Sequence, residues 1–435
     1  MQNNLYATDN HGWAELASPR IASTPCAGVL RSEWVVVGAG FTGLSCARRL
    51  AELHPDQQII LLDARKVAQG TSGRNSGFSV STSHFSGAFN PKLKPEFERV
   101  NRINKAGQTL LRNLVAQHKI DCDWYDDGFY HTATDTAAVA EYHHFIDYLD
   151  QLDIAYTPLD KEQLNQHIGT RWYERGAHVH DGVVMHPAKL VYGLTDSLPS
   201  NITLYEDSPV ENIDYQQPFV LTTPSAQIKA DKLVLAVNYE AAKLGFLNRR
   251  LLGSTLAGSF TRVLTDDEIS LLGNKKAWGA LSLHSGGATV RLTPQGRLNI
   301  RNTAEYHGGH LLSDNALQKR QQIHRSAFEL RFPKLKHVPF EFGWSGVEGI
   351  SGNGTNFFQN PKPNLYLAGG YNGSGVSRGT AFGHALAEMA SNMQSTLITD
   401  CLGSAPAQWL PPRPILDIGA WFTVRKRFEG VGKDR

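Results

Sequence analysis

The chain has 435 residues, 41% of them hydrophobic, too many for one ordinary core, so two closely joined domains are expected. A net charge of +2 excludes whole-molecule attraction to nucleic acid as a driving force, and no apolar run is long enough to cross a bilayer. Cys26, Cys46, Cys122 and Cys401 are scattered without a CxxC pair, a usage that suits free thiols in a reducing, cytoplasmic compartment.

Residues 1–30 lack the basic start and apolar centre of a secretory signal and read as an irregular extension, pinned by Trp13 and Leu16. The first strong signal follows. Trp34 to Val37 reads as a buried strand, and Gly38-Ala39-Gly40-Phe41-Thr42-Gly43 comes directly after it. Leu44 to Leu53 then reads as a helix and Gln58 to Asp63 as a second strand. The three glycines serve a tight turn, room for a pyrophosphate and close helix–strand packing. Free N–H groups at the helix start hold phosphates, and Asp63 stands at the spacing of a ribose-binding acid. Such a unit binds a dinucleotide. Taken alone, it also fits a nicotinamide dehydrogenase.

Residues Gly70-Thr71-Ser72-Gly73-Arg74-Asn75-Ser76-Gly77 form a loop of small side chains around one arginine. A backbone can run close to a ligand there, and Arg74 offers a fork of donors to a phosphate or carboxylate. His84 lies shortly beyond, either facing the site or as an ordinary loop residue. Helical periodicity covers 95–118, residues 121–130 read as strand and turn, and a second helix is expected around 136–152. His178, His180 and His186 invite a metal reading, but no acid or cysteine completes a familiar set; structural roles and no metal are expected.

Ile202–Tyr205 and Asp231–Asn238 read as strands returning to the nucleotide-binding unit. From about 241 to 340 apolar and polar residues alternate, which suggests an antiparallel sheet with one face lining a cavity. Arg291, Arg297 and Arg301 lie on that sheet, where a guanidinium can pair with a substrate carboxylate or simply be solvated. Leu311–Phe332 reads as helix. Asn364–Gly369 then gives a strand, Gly370-Tyr371-Asn372-Gly373-Ser374-Gly375 a glycine-rich turn, and Val376–Met393 a helix, so a second helix start can face the cofactor.

The Gly38–Gly43 turn, the Arg74 loop and the Gly370–Gly375 turn together resemble the D-amino-acid oxidase-like flavoproteins, within them the glycine oxidase, sarcosine oxidase and γ-glutamylputrescine oxidoreductase group. The resemblance covers roughly residues 30–395. It implies an α/β protein in which a discontinuous Rossmann-like FAD-binding domain (31–94, 180–240 and 341–400) is joined to an α+β substrate domain on an antiparallel sheet (95–179 and 241–340), with a tail at 401–435. FAD would be non-covalent and contacted by Gly38 to Gly43, Asp63, Ala64, Arg65, Thr71, Ser72, Arg74, Asn75, Ser76, Gly77, Val210, Asn238, Gly370, Asn372 to Gly375 and Val376. His84 leaves histidyl attachment open.

The implied activity is oxidation of a C–N bond in a small amine or amino acid, by hydride transfer to the flavin and hydrolysis of the resulting imine. Trp344 matches a Trp-x-Gly pattern of the group and either packs near the ring or serves as a hinge aromatic. No lysine occupies Arg297–Arg301, where sarcosine-oxidase-like members carry one that promotes reaction with oxygen, so oxygen or another electron carrier can accept the electrons. The rivals are a dehydrogenase linked to a carrier or quinone and an RNA-modifying flavoprotein; near-neutral charge argues against the second. The tail 411–435 mixes apolar and basic residues and reads as a helix docked on its own domain rather than on a membrane.

Overall fold

Strand Gly28–Val37 stands in the middle of the first sheet because its inner half, Trp34 to Val37, is apolar on both faces, as a parallel strand covered from two sides requires. The computed structural model describes residues 11–82, 86–284 and 286–434. Strand Gly28–Val37 pairs in parallel with Ala226–Leu235 on one side and Ile59–Leu62 on the other. Leu365–Gly369 and Ile202–Tyr205 extend the parallel sheet outward, and Phe357–Lys362 closes one edge antiparallel. Five parallel strands therefore end along one rim, where open α/β sheets bind ligands.

Helices Phe41–Leu53 and Gly375–Ala390 lie side by side on this sheet, with Lys94–His118 across the second. Glycines make the contacts possible. A Cβ on Gly383 would lie 2.1 Å from the Thr42 carbonyl oxygen, and one on Gly107 would lie 1.8 Å from that of Ser377. The sequence reading placed 95–179 wholly in the substrate domain. The long helix instead packs on the nucleotide-binding layer, because Gly107 allows that approach.

The second sheet has eight strands, in the order Phe340–Ser351, Leu251–Thr261, Leu298–Glu305, Thr289–Leu292, Trp278–Ser282, Phe129–Ala133, Arg175–Val179 and Tyr156–Asp160. It is antiparallel except where Trp278–Ser282 runs parallel to Phe129–Ala133. Phe340–Ser351 pairs with Leu251–Thr261 through eleven registered positions, so the boundary drawn at 341 cuts through a substrate-sheet strand. Helix Asp314–Arg331 covers this sheet through Ala327 and Phe328. The segment at 121–130 is mostly loop, with its strand beginning at Phe129.

Of the N-terminal extension, residues 1–10 lie outside the described residues. Trp13 is buried edge-on against Phe260 at 4.6 Å and His186 at 4.8 Å, and Leu16 packs on the same core. His11 caps the short helix Gly12–Glu15, and Gly28 already belongs to the sheet.

Candidate functional site

A cavity of about 1230 Å³ runs from the rim of the parallel sheet to the face of the antiparallel one. It exceeds the roughly 300–1,000 Å³ of ordinary ligand pockets, leaving room for a long ligand and a second molecule.

Its far end is built by the first glycine turn. Gly38 takes a φ of +102°, and a Cβ there would meet the Ala236 carbonyl oxygen at 2.7 Å. On Gly43 a Cβ would fall 1.7 Å from the Gly38 carbonyl oxygen, so this position allows the turn to close rather than lining the cavity. Helix Phe41–Leu53 starts at Gly40 without a cap from that residue; Phe41 N–H donates to Ser72 Oγ at 3.1 Å, and the helix start itself lines the cavity. Asp63 accepts from Ala39 N–H at 2.8 Å and from Arg65 N–H at 3.0 Å. Burial pushes its carboxyl up to about 6 against those two hydrogen bonds. Glu206, fully buried behind it, accepts from Val67 N–H at 2.7 Å and pairs with Arg20 at 2.6 Å.

The second glycine turn meets the first. Thr42 Oγ1 and Tyr371 Oη are 2.7 Å apart, and Asn238 Oδ1 accepts from Gly370 N–H at 2.8 Å. Asn372 (φ 50°) accepts from Ser351 N–H at 2.9 Å, so its side chain ties the turn to the end of a substrate-sheet strand. Asn372, Gly373, Gly375 and Val376 line the cavity; Gly370 and Ser374 form the turn behind it.

The Arg74 loop lies between the two sheets. Thr71, Ser72, Arg74, Asn75 and Ser76 line the cavity, whereas Gly77 (φ 75°) sits against Arg291 and the Met185 carbonyl. The guanidinium of Arg74 does not stand open as a fork. Nε donates to Gln69 O at 2.8 Å and Nη1 to Ser345 O at 3.1 Å, while Trp344 Nε1 donates back to Arg74 O at 3.1 Å. Arg74 and Trp344 thus clamp the loop to the substrate sheet. Trp344 touches the cavity but is 3% exposed and stacked on Phe260 at 5.2 Å.

Of the three sheet arginines, one reaches the cavity. Arg291 is buried and donates to the carbonyls of Ser76, Gly77 and Met185. Arg297 donates to Thr261 O at 2.8 Å and pairs with Glu341 at the sheet edge. Arg301 lies deep in the protein yet opens into the cavity, and its guanidinium donates no hydrogen bond to any described residue. Burial lowers its pKa, and Glu348, also on the cavity wall, opposes that shift.

Thr289, paired opposite Arg301, and Asn299 on its own strand line the wall beside it, and Leu281, Leu283, His131 and Phe145 line the same cavity. His131 and Phe145 have ring centroids 4.4 Å apart. His284, at the same end, is 3.1 Å from Asp135. His131, Phe145, Leu281, Leu283 and His284 escaped the sequence reading, because each looks like an ordinary core or loop residue until the sheet closes. Ala64, Val210 and Asn238 line the cavity, and sequence reasoning passed over their neighbours Tyr239, Glu240 and Lys243. His84 lies outside the described residues.

The histidines at 178–186 have local tasks. His178 Nε2 lies 2.6 Å from Asp127 O, His180 Nε2 lies 2.8 Å from Thr157 Oγ1, and His186 caps the helix Pro187–Asp196. Among the described residues no group of three His, Cys, Asp or Glu is arranged to hold a metal ion.

Comparison with known proteins identifies this architecture. The model of the family described as "DAO: FAD dependent oxidoreductase" matches residues 33–389, from the first strand to the helix after the second glycine turn. The chain belongs to the DAO family. Its cofactor is FAD, and it is an oxidoreductase of amines or amino acids. Among curated DAO-family relatives, γ-glutamylputrescine oxidoreductase of Escherichia coli K12 is 26% identical over 361 residues, covering 81% of this chain and 82% of that one. The probable oxidoreductase OrdL of Haemophilus influenzae is 25% identical over 387 residues, covering 84% of each. Among solved structures, glycine oxidase from Geobacillus kaustophilus shares the fold at a TM-score of 0.71 and 18% identity, covering 84% of this chain and 96% of the other. L-proline dehydrogenase from P. horikoshii does so at 0.67 and 16%, covering 85% and 95%. No helix of the described residues is long and apolar enough to cross a membrane.

Proposed function

We propose that this DAO-family chain oxidises the C–N bond of an amino acid whose carboxylate is held by Arg301. The observation that carries this reading is the guanidinium itself: a half-buried cation, open to the cavity, without a hydrogen-bond acceptor among the described residues and with Glu348 as the opposing charge on the same wall. A half-buried charge left in that state is costly, and a carboxylate binding two of its donors removes the cost. Leu281, Leu283, Phe145 and His131 line the same cavity, which suits the apolar portion of a small or medium side chain.

The residues present fit FAD. The turn at Gly38–Thr42 is one that a Cβ at Gly38 or Gly40 would disrupt, and the helix start behind it would offer N–H donors to the pyrophosphate. Asp63 would accept from the adenosine ribose, with Ala64, Arg65, Val210 and Asn238 along the same end. Thr71, Ser72, Asn75 and Ser76 would follow the chain of the cofactor, and Asn372, Gly373, Gly375 and Val376 would lie under its ring system. When bound, the flavin accepts a hydride from the carbon next to nitrogen. Arg301 fixes the substrate so that this carbon faces one point of the cavity, and the Leu281, Leu283 and Phe145 wall excludes water. Hydrolysis of the imine then needs no strong acid or base from the protein.

Transfer of electrons to a carrier rather than to oxygen is a second reading, supported by one observation. Lys243 is the one lysine on the cavity wall among the described residues, and it is paired with Glu240 at 2.5 Å. Anaerobic addition of amino acids and amines to the yellow protein tests both readings. Bleaching by amino acids but not by the matching amines supports the carboxylate grip. Prompt recovery of colour in air assigns oxygen as the acceptor; slow recovery in air with fast recovery on adding a quinone assigns a carrier.

A further inference from the structure

The helix Ile415–Glu429 is held to the protein by one side only. Ala420 is buried, Leu416 and Val424 are partly covered, Tyr306 bonds Asp417, and Arg413 just before the helix donates to Gly308 O at 3.1 Å. Its other side faces water and is also apolar. Ile415, Ile418 and Phe422 follow one another at helical spacing and are 61%, 58% and 61% exposed; Trp421 beside them is 47% exposed. Scattered exposed apolar residues are ordinary. Here six of the twelve large exposed hydrophobic residues among the described residues fall within 402–422, including Leu402 and Trp409 before the helix. A helix apolar on two sides is normally covered on both, and a contiguous exposed patch marks an interaction surface.

We propose that this face docks on an anionic phospholipid surface. Three features select that occupant. Trp421 and Phe422 meet edge-on at 4.9 Å, an amphipathic pair of the type that lodges at headgroup depth. Exposed Arg425 and Lys426 lie on the same arc, Arg425 paired with Glu429 at 2.9 Å and its guanidinium 5.2 Å from the Trp421 ring centroid, so Lys426 adds a positive charge, unpaired among the described residues, beside the apolar stripe. Residues 411–435 carry six basic and three acidic side chains, a net +3 in a chain whose total is +2. A second copy fits less well. Arg413 and Arg425 at the two ends of the stripe are already paired with Asp417 and Glu429, so antiparallel helices about a two-fold axis would gain no new ion pair from them and would leave Lys426 uncompensated, whereas an anionic surface compensates it. The helix has 15 residues, too short to span, so the contact is superficial. The sequence of 411–435 suggests a helix docked on its own domain. Docking does occur, through the opposite face. The proposal stands apart from the substrate reading.

The test is sedimentation of the FAD-loaded full chain with extruded vesicles of mixed phosphatidylglycerol and phosphatidylcholine, beside vesicles of phosphatidylcholine alone. Binding to the anionic vesicles that weakens with salt is expected. Arg425→Gln and Lys426→Gln should each weaken it about fivefold. Ile418→Glu with Phe422→Glu should weaken it by about tenfold or more while leaving flavin content and substrate bleaching unchanged, which shows that the variant is folded. Absence of binding to anionic vesicles at low salt overturns the proposal. So does equal binding by the double-glutamate variant. A dimer in light scattering that the same variant dissociates, without vesicle binding, assigns the face to a second copy instead.

Discussion

The hydroxyl groups of Thr42 and Tyr371 lie 2.7 Å apart across 329 residues of sequence, joining the two glycine-rich turns. Tyr371 is 7% exposed and Thr42 5%, so neither has water as an alternative partner. Burial raises the Tyr371 phenol above its ordinary range, which keeps it a neutral donor at every physiological pH. The bond sets the spacing of the two helix starts that face one ligand.

Replacing Thr42 by Val keeps the shape and removes one partner, leaving the Tyr371 hydroxyl buried and unpaired. The expected loss is about 1–3 kcal/mol of stability, together with weaker FAD retention. Thermal melting followed by flavin fluorescence measures both. An unchanged melting point and FAD affinity would show that the two turns are held by other contacts.

Asp63 gives a pH signature. Its folded pKa of about 6 lies above the ordinary 3.8, so the folded apoprotein binds this proton more tightly than the unfolded chain does. The resulting penalty is absent below about pH 4 and fully present above about pH 6, on the order of 3 kcal/mol. In the apoprotein, the stability difference between wild type and Asp63→Asn should therefore shift in favour of the variant as pH rises across that window. FAD binding should show the opposite preference, with the wild type tighter at neutral pH because a ribose donates to a carboxylate. Apoprotein denaturation at pH 4 and 7, beside FAD titrations, checks both signs; a pH-independent difference would sink the assignment.

Arg301→Met should raise KM for amino acids by about 10–150-fold, the worth of one charge-assisted contact of about 1.5–3 kcal/mol. Amines without a carboxylate should be handled by the variant as poorly, or as well, as by the wild type. Steady-state kinetics on one amino acid and its decarboxylated analogue separate the two cases. Equal losses on both substrates would move the carboxylate site elsewhere.

Arg331 and Asp434 form an ion pair with neither side chain exposed, and Asp434 O also accepts from Ala288 N–H at 3.0 Å. A Cβ on Gly287 would meet the Asp434 carboxylate at 2.5 Å, so the pair presses on a segment that lines the cavity. Asp434→Ala leaves the guanidinium buried without its counter-ion, with the Ala327 and Asp434 carbonyls as its acceptors, at an expected cost of about 3–5 kcal/mol. Urea denaturation gives the number. Arg331→Met with Asp434→Ala, which removes both charges, should recover much of it; failure to recover would mean that the backbone contacts of this segment dominate.

Local chemistry alone specified the two strand–turn–helix units, because a turn that must close on a helix and admit a phosphate tolerates little but glycine at Gly38 and Gly43. Asp63 was legible for the same reason, its place being set by the length of one helix and one strand. The alternation in 288–301 disclosed a sheet but not which arginine opens into the cavity. Arg291, Arg297 and Arg301 have the same chemistry, and only the closure of the second sheet on the first gives two of them carbonyl and carboxylate partners while leaving Arg301 open to the cavity. Arg74 looked like a ligand-binding fork by its glycine-rich surroundings, yet Ser345, 271 residues away, takes one of its donors. His131, Phe145 and His284 became cavity residues through strand pairing between distant segments, such as Ala280 beside Tyr130. The sequence by itself thus determined the cofactor and its cradle, whose demands on the chain are local. The tertiary structure decided the other wall of the cavity, because a wall assembled from distant strands is defined by which side chains strand pairing turns toward it.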